Sequence, residues 1–301
     1  SKCDTSSARF QSEETGLVDG IGTEDEILGK IRELVTYLPS NCEDTDSYME
    51  CTDDLNRVCE DIENCTGDTA IALSRIADNG QFFEVKADYG KSVAVGFIRL
   101  NGATVGAVAN RSESYDVEGK KVWESDGTLS ARGARKAAEF VKFCDAFEIP
   151  VLTLTNVNGF KATVCGEKMM AKSVGALVHA FADATVPKVN VVIGKAFGTA
   201  YTAMNSKAIG ADMVYAWENA EIGMMDADLA AKIMYAGDDA AALTEKAAEY
   251  RELQNSVSSA AARGYVDTII SPADTRKYVI GAFEMLFTKR EERPSKKHGT
   301  V

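Results

Sequence analysis

The chain has 301 residues, 45% of them hydrophobic, and a net charge of -13 at pH 7. That length and apolar content suit one large α/β unit with a real core, while the acidic balance excludes nucleic acid and anionic membrane surfaces as expected partners. No apolar run approaches the roughly 20 residues that cross a bilayer, and no charged-then-apolar leader opens the chain, so a cytoplasmic location is expected.

Cys3, Cys42, Cys51, Cys59, Cys65, Cys144 and Cys165 form no CxxC pair, and His179 and His298 are the only histidines. Reduced structural thiols are therefore expected, and no metal site. The sequons at Asn64 and Asn110 carry no weight without a secretion signal.

Taken in chain order, "GLVDGIG" at 16–22 predicts a short strand and turn. "TEDEILGKIRELVTYLP" then predicts a helix with Thr23 as N-cap, acids in its first turn and Pro39 as the stop. Its Ile27, Ile31, Leu34, Val35 and Leu38 share one face. Residues 40–69 turn polar and acidic, which predicts a connector with at most a short helix near Asp53–Glu63. A helix over Thr69–Ala77 leads to "FFEV", and "VAVGFIRLNGATVGAVAN" predicts two strands joined by Asn101-Gly102, the strongest short hairpin signal. Residues 111–130 read as a polar loop with a short strand near Val122.

From there strand and helix alternate. "ARGARKAAEFVKFCDAF" has helical apolar spacing, and Val151–Thr155 is a continuous run of the kind buried on both faces of a parallel sheet. A helix over about Glu167–Ala184, the run Val189–Ile193, a helix from Gly198, "MVYAW", and helices over Asp226–Tyr235, Asp238–Arg263 and Thr275–Phe287 follow. Right-handed crossover units are the expected result.

Two strand ends meet a glycine: "LTLTNVNGF" and "VVIGKAFGTAY". At the second, Gly198 removes the side chain that would block an approaching oxygen, while Thr199 and Ala200 lie where helix N–H groups lack intrahelical partners. Such a turn is either an oxyanion hole or a glycine that permits tight packing, and the motif alone leaves both open. Other candidates are weaker. His179 lies in an Ala- and Val-rich helix without a Ser or Cys to serve, and His298 sits in the basic stretch "KREERPSKKHG". Glu221 and Asp226 could be an acid and base pair, but Asp226 reads better as a helix N-cap. Cys165 lacks an orienting base, and no GxxxxGK[ST] phosphate loop occurs.

The stretches "KAAEFVKFCDAFEIPVLTLTNVNGF", "FADATVPKVNVVIGKAFGTAYTAMNSK", "GADMVYAWENAEIGMM" and "RGYVDTIISPADTRKYV" together resemble the carboxyltransferase subunit of biotin-dependent acyl-CoA carboxylases and decarboxylases, of the propionyl-CoA, methylmalonyl-CoA and glutaconyl-CoA type. The resemblance runs from about residue 16 to "RPSKKHG". It implies an α/β crotonase-type (ClpP/crotonase-like) superhelix of ββα units, present here as a single C-terminal lobe. Residues 1–22 would be a remnant of the N-terminal lobe, 23–68 the inter-lobe helix and linker, and 69–301 the C-terminal carboxyltransferase domain.

The same resemblance implies what the chain works with. Biotin on a separate biotin carboxyl carrier protein would meet this lobe, acyl-CoA would meet an N-terminal carboxyltransferase lobe outside this chain, and the active site would form across a homo-oligomer interface, a dimer or trimer of dimers. Sodium-pump decarboxylase membrane subunits are further implied partners. Gly198, Thr199 and Ala200 would be the catalytic donors, with Asn158, Gly159 and Phe160 as the opposite wall of the biotin site and Phe197 and Tyr201 completing it. This sequence departs from the family pattern at Asn158, where Pro is usual, at Thr199, where a second Gly is usual, at Glu218, where Pro is usual, and in "KATVCGEKMM", which lacks Leu-Pro-Gly and Gln-Glu. Competing readings are a crotonase-type acyl-CoA hydratase or isomerase, with Glu221 or Asp226 as working acids, and a non-catalytic scaffold lobe that docks the biotin carrier.

Overall fold

The computed structural model describes residues 4–41, 43–44 and 47–294. The chain opens with a helical turn, α1 (Ala8–Phe10), that runs into a π-helical turn over Gln11–Thr15. Gly16 ends that turn in the left-handed region at φ 66°, so residues 16–22 wind along the surface and do not form the expected strand. Lys86 fastens them, its N–H donating to Asp19 O at 2.9 Å and its ammonium to Gly16 O at 2.7 Å.

Helix α2 (Glu24–Tyr37) starts at Thr23 as the sequence predicts, the Glu26 carboxylate accepting from the Thr23 N–H at 2.7 Å. Within α2 only Tyr37 is buried; Leu28, Ile31 and Val35 are exposed. Among its described residues the connector has a 3₁₀ turn over Ile62–Cys65 in place of a short α-helix. It packs closely all the same. Cys59 and Ile62 are buried, and fully buried Arg276 donates to Asp54 O, Ile76 O and the Asp78 carboxylate at 3.0, 2.8 and 2.7 Å.

Helix α3 (Thr69–Ile76) and β1 (Phe83–Val85) lead into the hairpin of β2 (Val93–Leu100) and β3 (Ala103–Asn110). Asn101 and Gly102 both have positive φ, at 49° and 81°, the primed turn that matches strand twist. The polar loop forms its own ribbon, β4 (Glu113–Tyr115) with β5 (Lys121–Glu124). Then come α4 (Ala131–Ala146), β6 (Val151–Val157), α5 (Val164–Asp183), β7 (Lys188–Phe197), α6 (Gly198–Ala203), β8 (Met213–Trp217) and β9 (Glu221–Gly223). Helices α7 (Ala227–Met234), α8 (Ala240–Tyr250) and α9 (Val257–Ala262), strand β10 (Thr268–Ile270) and α10 (Thr275–Met285) complete the chain.

The main sheet runs β1-β2-β3-β6-β7-β8-β10, parallel from β3 onward. Alternate strand residues feed two cores: Val192 points to the side covered by α4, α5, α6 and α9, and Val191 to the side covered by α3 and α10. Burial on both faces explains why β6 and β7 are mainly apolar without an in–out alternation, their polar Thr153, Thr155 and Asn190 being buried too. Strand β7 is long enough to take two partners in succession, β8 along Val189–Val192 and β9 along Lys195–Phe197.

One expected helix is broken. Asp238–Arg263 divides at a π-helical turn over Arg251–Asn255, after which Ser256 caps α9. The turn carries Asn255 inward, where its side-chain amide donates to Met225 O at 2.9 Å against β9. Helices α7 and α8 pair through a small core of Ala227, Ala231 and Ala247, with Leu243 and Tyr250 against it.

Candidate active site

The two glycine-bearing strand ends leave the sheet side by side. Val157 of β6 pairs with Ala196 of β7, so Asn158–Phe160 and Gly198–Ala200 emerge together at the carboxyl edge of the parallel strands. Open α/β sheets place their ligands at that edge.

A register shift creates this arrangement. Between Thr155–Val192 and Val157–Ala196, β7 advances further than β6, and the Asn156 side chain fills the gap. Its oxygen accepts from the Lys195 N–H at 3.0 Å and its amide donates to Thr66 O at 3.1 Å, while its own N–H donates to Asn110 Oδ1 at 3.0 Å. A Cβ on Gly194 would lie 2.6 Å from Asn156 Oδ1, so Gly194 makes room for that carboxamide. The sequence marks Asn110 only as a sequon and does not single out Asn156. The available signal was an Asn inside an apolar strand, "LTLTNV", facing a strand broken by Gly in "VVIGKAF".

At the end of β7, Gly198 takes φ 65°, and a Cβ there would sit 3.2 Å from Met224 O. With Phe197 as N-cap, Gly198, Thr199 and Ala200 supply the first N–H groups of α6, and no side chain caps them. Thr199 is exposed and Gly198 half-buried, so the turn opens outward; Ala200 turns its methyl into the core. Phe197 and Tyr201, expected to complete the site, are 2% and 8% exposed. Tyr201 packs into the core beside Ala200 and Ala203, and the Phe197 ring has Lys195 Nζ 6.0 Å from its centroid. Burial pushes the Tyr201 phenol up to about 12, and its hydroxyl has no hydrogen-bond partner among the described residues.

The opposite wall is tied down through its backbone. Asn158 N–H donates to Gly127 O at 3.0 Å, Leu129 N–H to Gly159 O at 2.8 Å and Lys161 N–H to Leu129 O at 3.0 Å. Asn158 is exposed and Phe160 half-buried, while Gly159, at φ 123°, has open space where a Cβ would be. Beside them, hydrogen bonds from the Thr128 hydroxyl and N–H hold the Asp126 carboxyl below its usual range.

The remaining candidates are occupied elsewhere. Asp226 caps α7, accepting from the Asp228 and Leu229 N–H groups at 3.0 and 3.3 Å, and lies 3.5 Å from Lys195 Nζ. Glu221 faces Arg251 at 3.4 Å. His179 is half-buried on α5 with no nucleophile bonded to it, and Cys165 is an exposed free thiol in the first turn of α5. Cys51, Cys59, Cys65 and Cys144 are also free, whereas Cys3, Cys42 and His298 lie outside the described residues. Among the described residues no group of His, Cys, Asp or Glu is placed to hold a metal, and no helix is long and apolar enough to cross a membrane.

The turn thus leaves the first main-chain N–H groups of α6 without a side-chain cap. The family model for the carboxyl transferase domain matches residues 4–301. A putative propionyl-CoA carboxylase beta chain of Bacillus subtilis is 41% identical over 289 residues, covering 93% of this chain and 55% of the relative. The methylmalonyl-CoA carboxyltransferase 12S subunit of Propionibacterium freudenreichii is 40% identical over 281 residues, covering 89% of this chain and 52% of the relative. The chain therefore spans about half the length of these relatives. A crystal structure of transcarboxylase 12S, solved as a hexamer with hydrolysed methylmalonyl-coenzyme A bound, superposes with a TM-score of 0.89 at 36% identity, covering all of this chain and 59% of that one. The fold is accordingly one lobe of the crotonase type. With the family model matching nearly end to end and the glycine turn of β7 in place, the chain belongs to the carboxyl transferase domain family.

Proposed function

We propose that this chain is the carboxyltransferase component of a biotin-dependent acyl-CoA carboxylase or decarboxylase, acting on a short acyl-CoA of the propionyl-CoA or methylmalonyl-CoA class. Family membership supports the reaction class. The observation that carries the assignment to this lobe is the left-handed Gly198, which opens the Thr199 turn beside Asn158–Phe160.

Biotin, when brought by its carrier protein, supplies the ureido group on which a carboxyl travels. The residues present fit that group: the donors are neutral amides, the turn is open outward, and the nearby Asp226 carboxylate is spent on capping α7. Thr199 and Ala200 N–H would hold the ureido oxygen, and Asn158, Gly159 and Phe160 would form the facing wall. Fixed dipoles favour charge that develops in the transition state without having to reorganise. No side chain here need give or take a proton. The hydratase or isomerase reading, which requires a free acid at Glu221 or Asp226, has no support in their partners.

The relatives' greater length favours an acyl-CoA lobe outside this chain. We assign residues 1–22 to the edge of that lobe, 23–68 to the connection and 69–301 to the carboxyltransferase domain proper. A biotin carboxyl carrier protein, a homo-oligomeric assembly like the relative's hexamer and a cytoplasmic setting belong to the same reading; sodium-pump membrane subunits belong to its decarboxylase form.

Carboxyl transfer from methylmalonyl-CoA to free biotin, measured with the acyl-CoA lobe supplied, tests the proposal. Thr199→Pro removes one N–H in the first turn of α6, where that N–H has no intrahelical partner to lose. Loss of one such donor should lower the rate by about 10²- to 10³-fold. Undiminished transfer by a folded Thr199→Pro variant would instead favour a scaffold lobe.

A further inference from the structure

Helix α2 roofs a cavity of about 470 Å³ that carboxyl transfer does not use. It lies at the β1–β2 edge of the sheet, with β2 three strands removed from β7. Ile27, Ile31 and Leu34 form its roof, and Phe97, Phe140 and Phe143 its floor. A cavity of this size, mainly apolar and aromatic with few polar groups, has the make-up of a small-molecule site.

Its polar groups gather at one end, and their pairing leaves an imbalance. Glu84 accepts two hydrogen bonds from Arg111, at 2.8 and 3.0 Å. Glu139 accepts from Arg135 at 2.9 Å and from Lys86 at 3.2 Å. The wall also contains Lys136, 1% exposed, whose ammonium meets no carboxylate. It donates to two main-chain carbonyls, Lys86 O at 3.0 Å and Tyr89 O at 2.7 Å. A protonated ammonium has three donors, so one remains for an incoming acceptor. Lys30, also in the wall, makes no ion pair with any described residue.

We propose that this cavity binds a small amphiphile with a single anionic head, a medium-chain aliphatic carboxylate. Its chain lies between Leu34 and the phenylalanine floor, and its head reaches Lys136. The site complements an anion because Glu84 and Glu139 already accept from cations and Asp19 lies 3.9 Å from Lys86, while the buried Lys136 ammonium has no carboxylate partner among the described residues. The light packing of α2, which buries only Tyr37, lets the roof adjust to the chain.

Calorimetric titration of the 301-residue chain at about pH 6, where both Lys136 and decanoate are charged, with decanoate and with decanol tests this. Decanoate should bind saturably at one site, and decanol about tenfold more weakly, since a charge-assisted hydrogen bond is lost. Leu34→Trp, which fills the cavity from its roof, should abolish binding of both. Lys136→Met should bring decanoate down to the level of decanol. Non-saturable decanoate binding, equal affinity for the two ligands, or unchanged binding in Leu34→Trp would each overturn the proposal. Should Lys136→Met fail to fold, the decanoate–decanol contrast and Leu34→Trp decide the question.

Discussion

Asn156 accepts a hydrogen bond from the Lys195 main chain at 3.0 Å, across the one place where β6 and β7 lose register. That contact sets the direction in which β7 enters the Gly198 turn. An unpaired buried amide costs about 1–3 kcal/mol, so Asn156→Leu should destabilise the chain by an amount of that order in urea unfolding. It should also lower carboxyl transfer, although residue 156 belongs to neither wall of the site.

Gly194→Ala probes the same joint from the other side. The new Cβ would press on Asn156 Oδ1, 2.6 Å away. Overpacking of this kind typically costs about 1–3 kcal/mol. Combined with Asn156→Ala, the cost should shrink, and a double-mutant cycle by chemical denaturation measures the coupling.

Gly198→Ala asks an alanine to adopt φ 65°. The left-handed conformation costs a non-glycine residue about 1–2 kcal/mol, and Met224 O stands 3.2 Å from the added carbon. Thermal unfolding should register the first effect. The rate of carboxyl transfer to biotin should fall further than stability does, because the Thr199 and Ala200 N–H groups, the proposed donors, are displaced with the turn.

Asp226 separates capping from acid–base chemistry. Asn caps a helix nearly as well as Asp, whereas Ala costs about 1 kcal/mol. Asp226→Asn should therefore keep both stability and transfer activity, and Asp226→Ala should lose stability. A collapse of activity in the Asn variant would revive the hydratase reading.

Burial lowers the Lys136 ammonium to about 7 from its ordinary 10.5. The unfolded chain thus holds more protons than the folded one between pH 7 and 10.5, so this group makes stability rise with pH across that window. Below pH 7 the penalty is complete and flat. The rise should be on the order of a few kcal/mol. Unfolding free energies measured at several pH values should lose that slope in Lys136→Met, relative to the unmutated chain.

Much of the fold was legible from local chemistry. Thr23 and Glu26 announce the start of α2, Asn101-Gly102 sets the β2–β3 turn, and the apolar runs of β6 and β7 declare strands buried on both sides. The rest depends on partners distant in the chain. Strand β9 is only three residues long and exists because β7 continues past β8 to meet it. The helix expected over Asp238–Arg263 breaks because Asn255 is needed against Met225, an attraction no helical periodicity reveals. At the site, Gly198 stood out in sequence, but the burial of Phe197 and Tyr201 depends on what packs around them, which local sequence does not reveal. Asn156 escaped notice because its role lies in a register mismatch between two strands.

The α7–α8 pair joins the scaffold beside Gly198, yet its interior amounts to three alanine methyls with Leu243 and Tyr250 against them. So little apolar contact resists separation only weakly, and this hairpin should open on its own well below the free energy that melts the sheet. Its amides should exchange with deuterium sooner than those of β6 and β7. The hairpin beside the Gly198 turn would then breathe while β6 and β7 stay rigid.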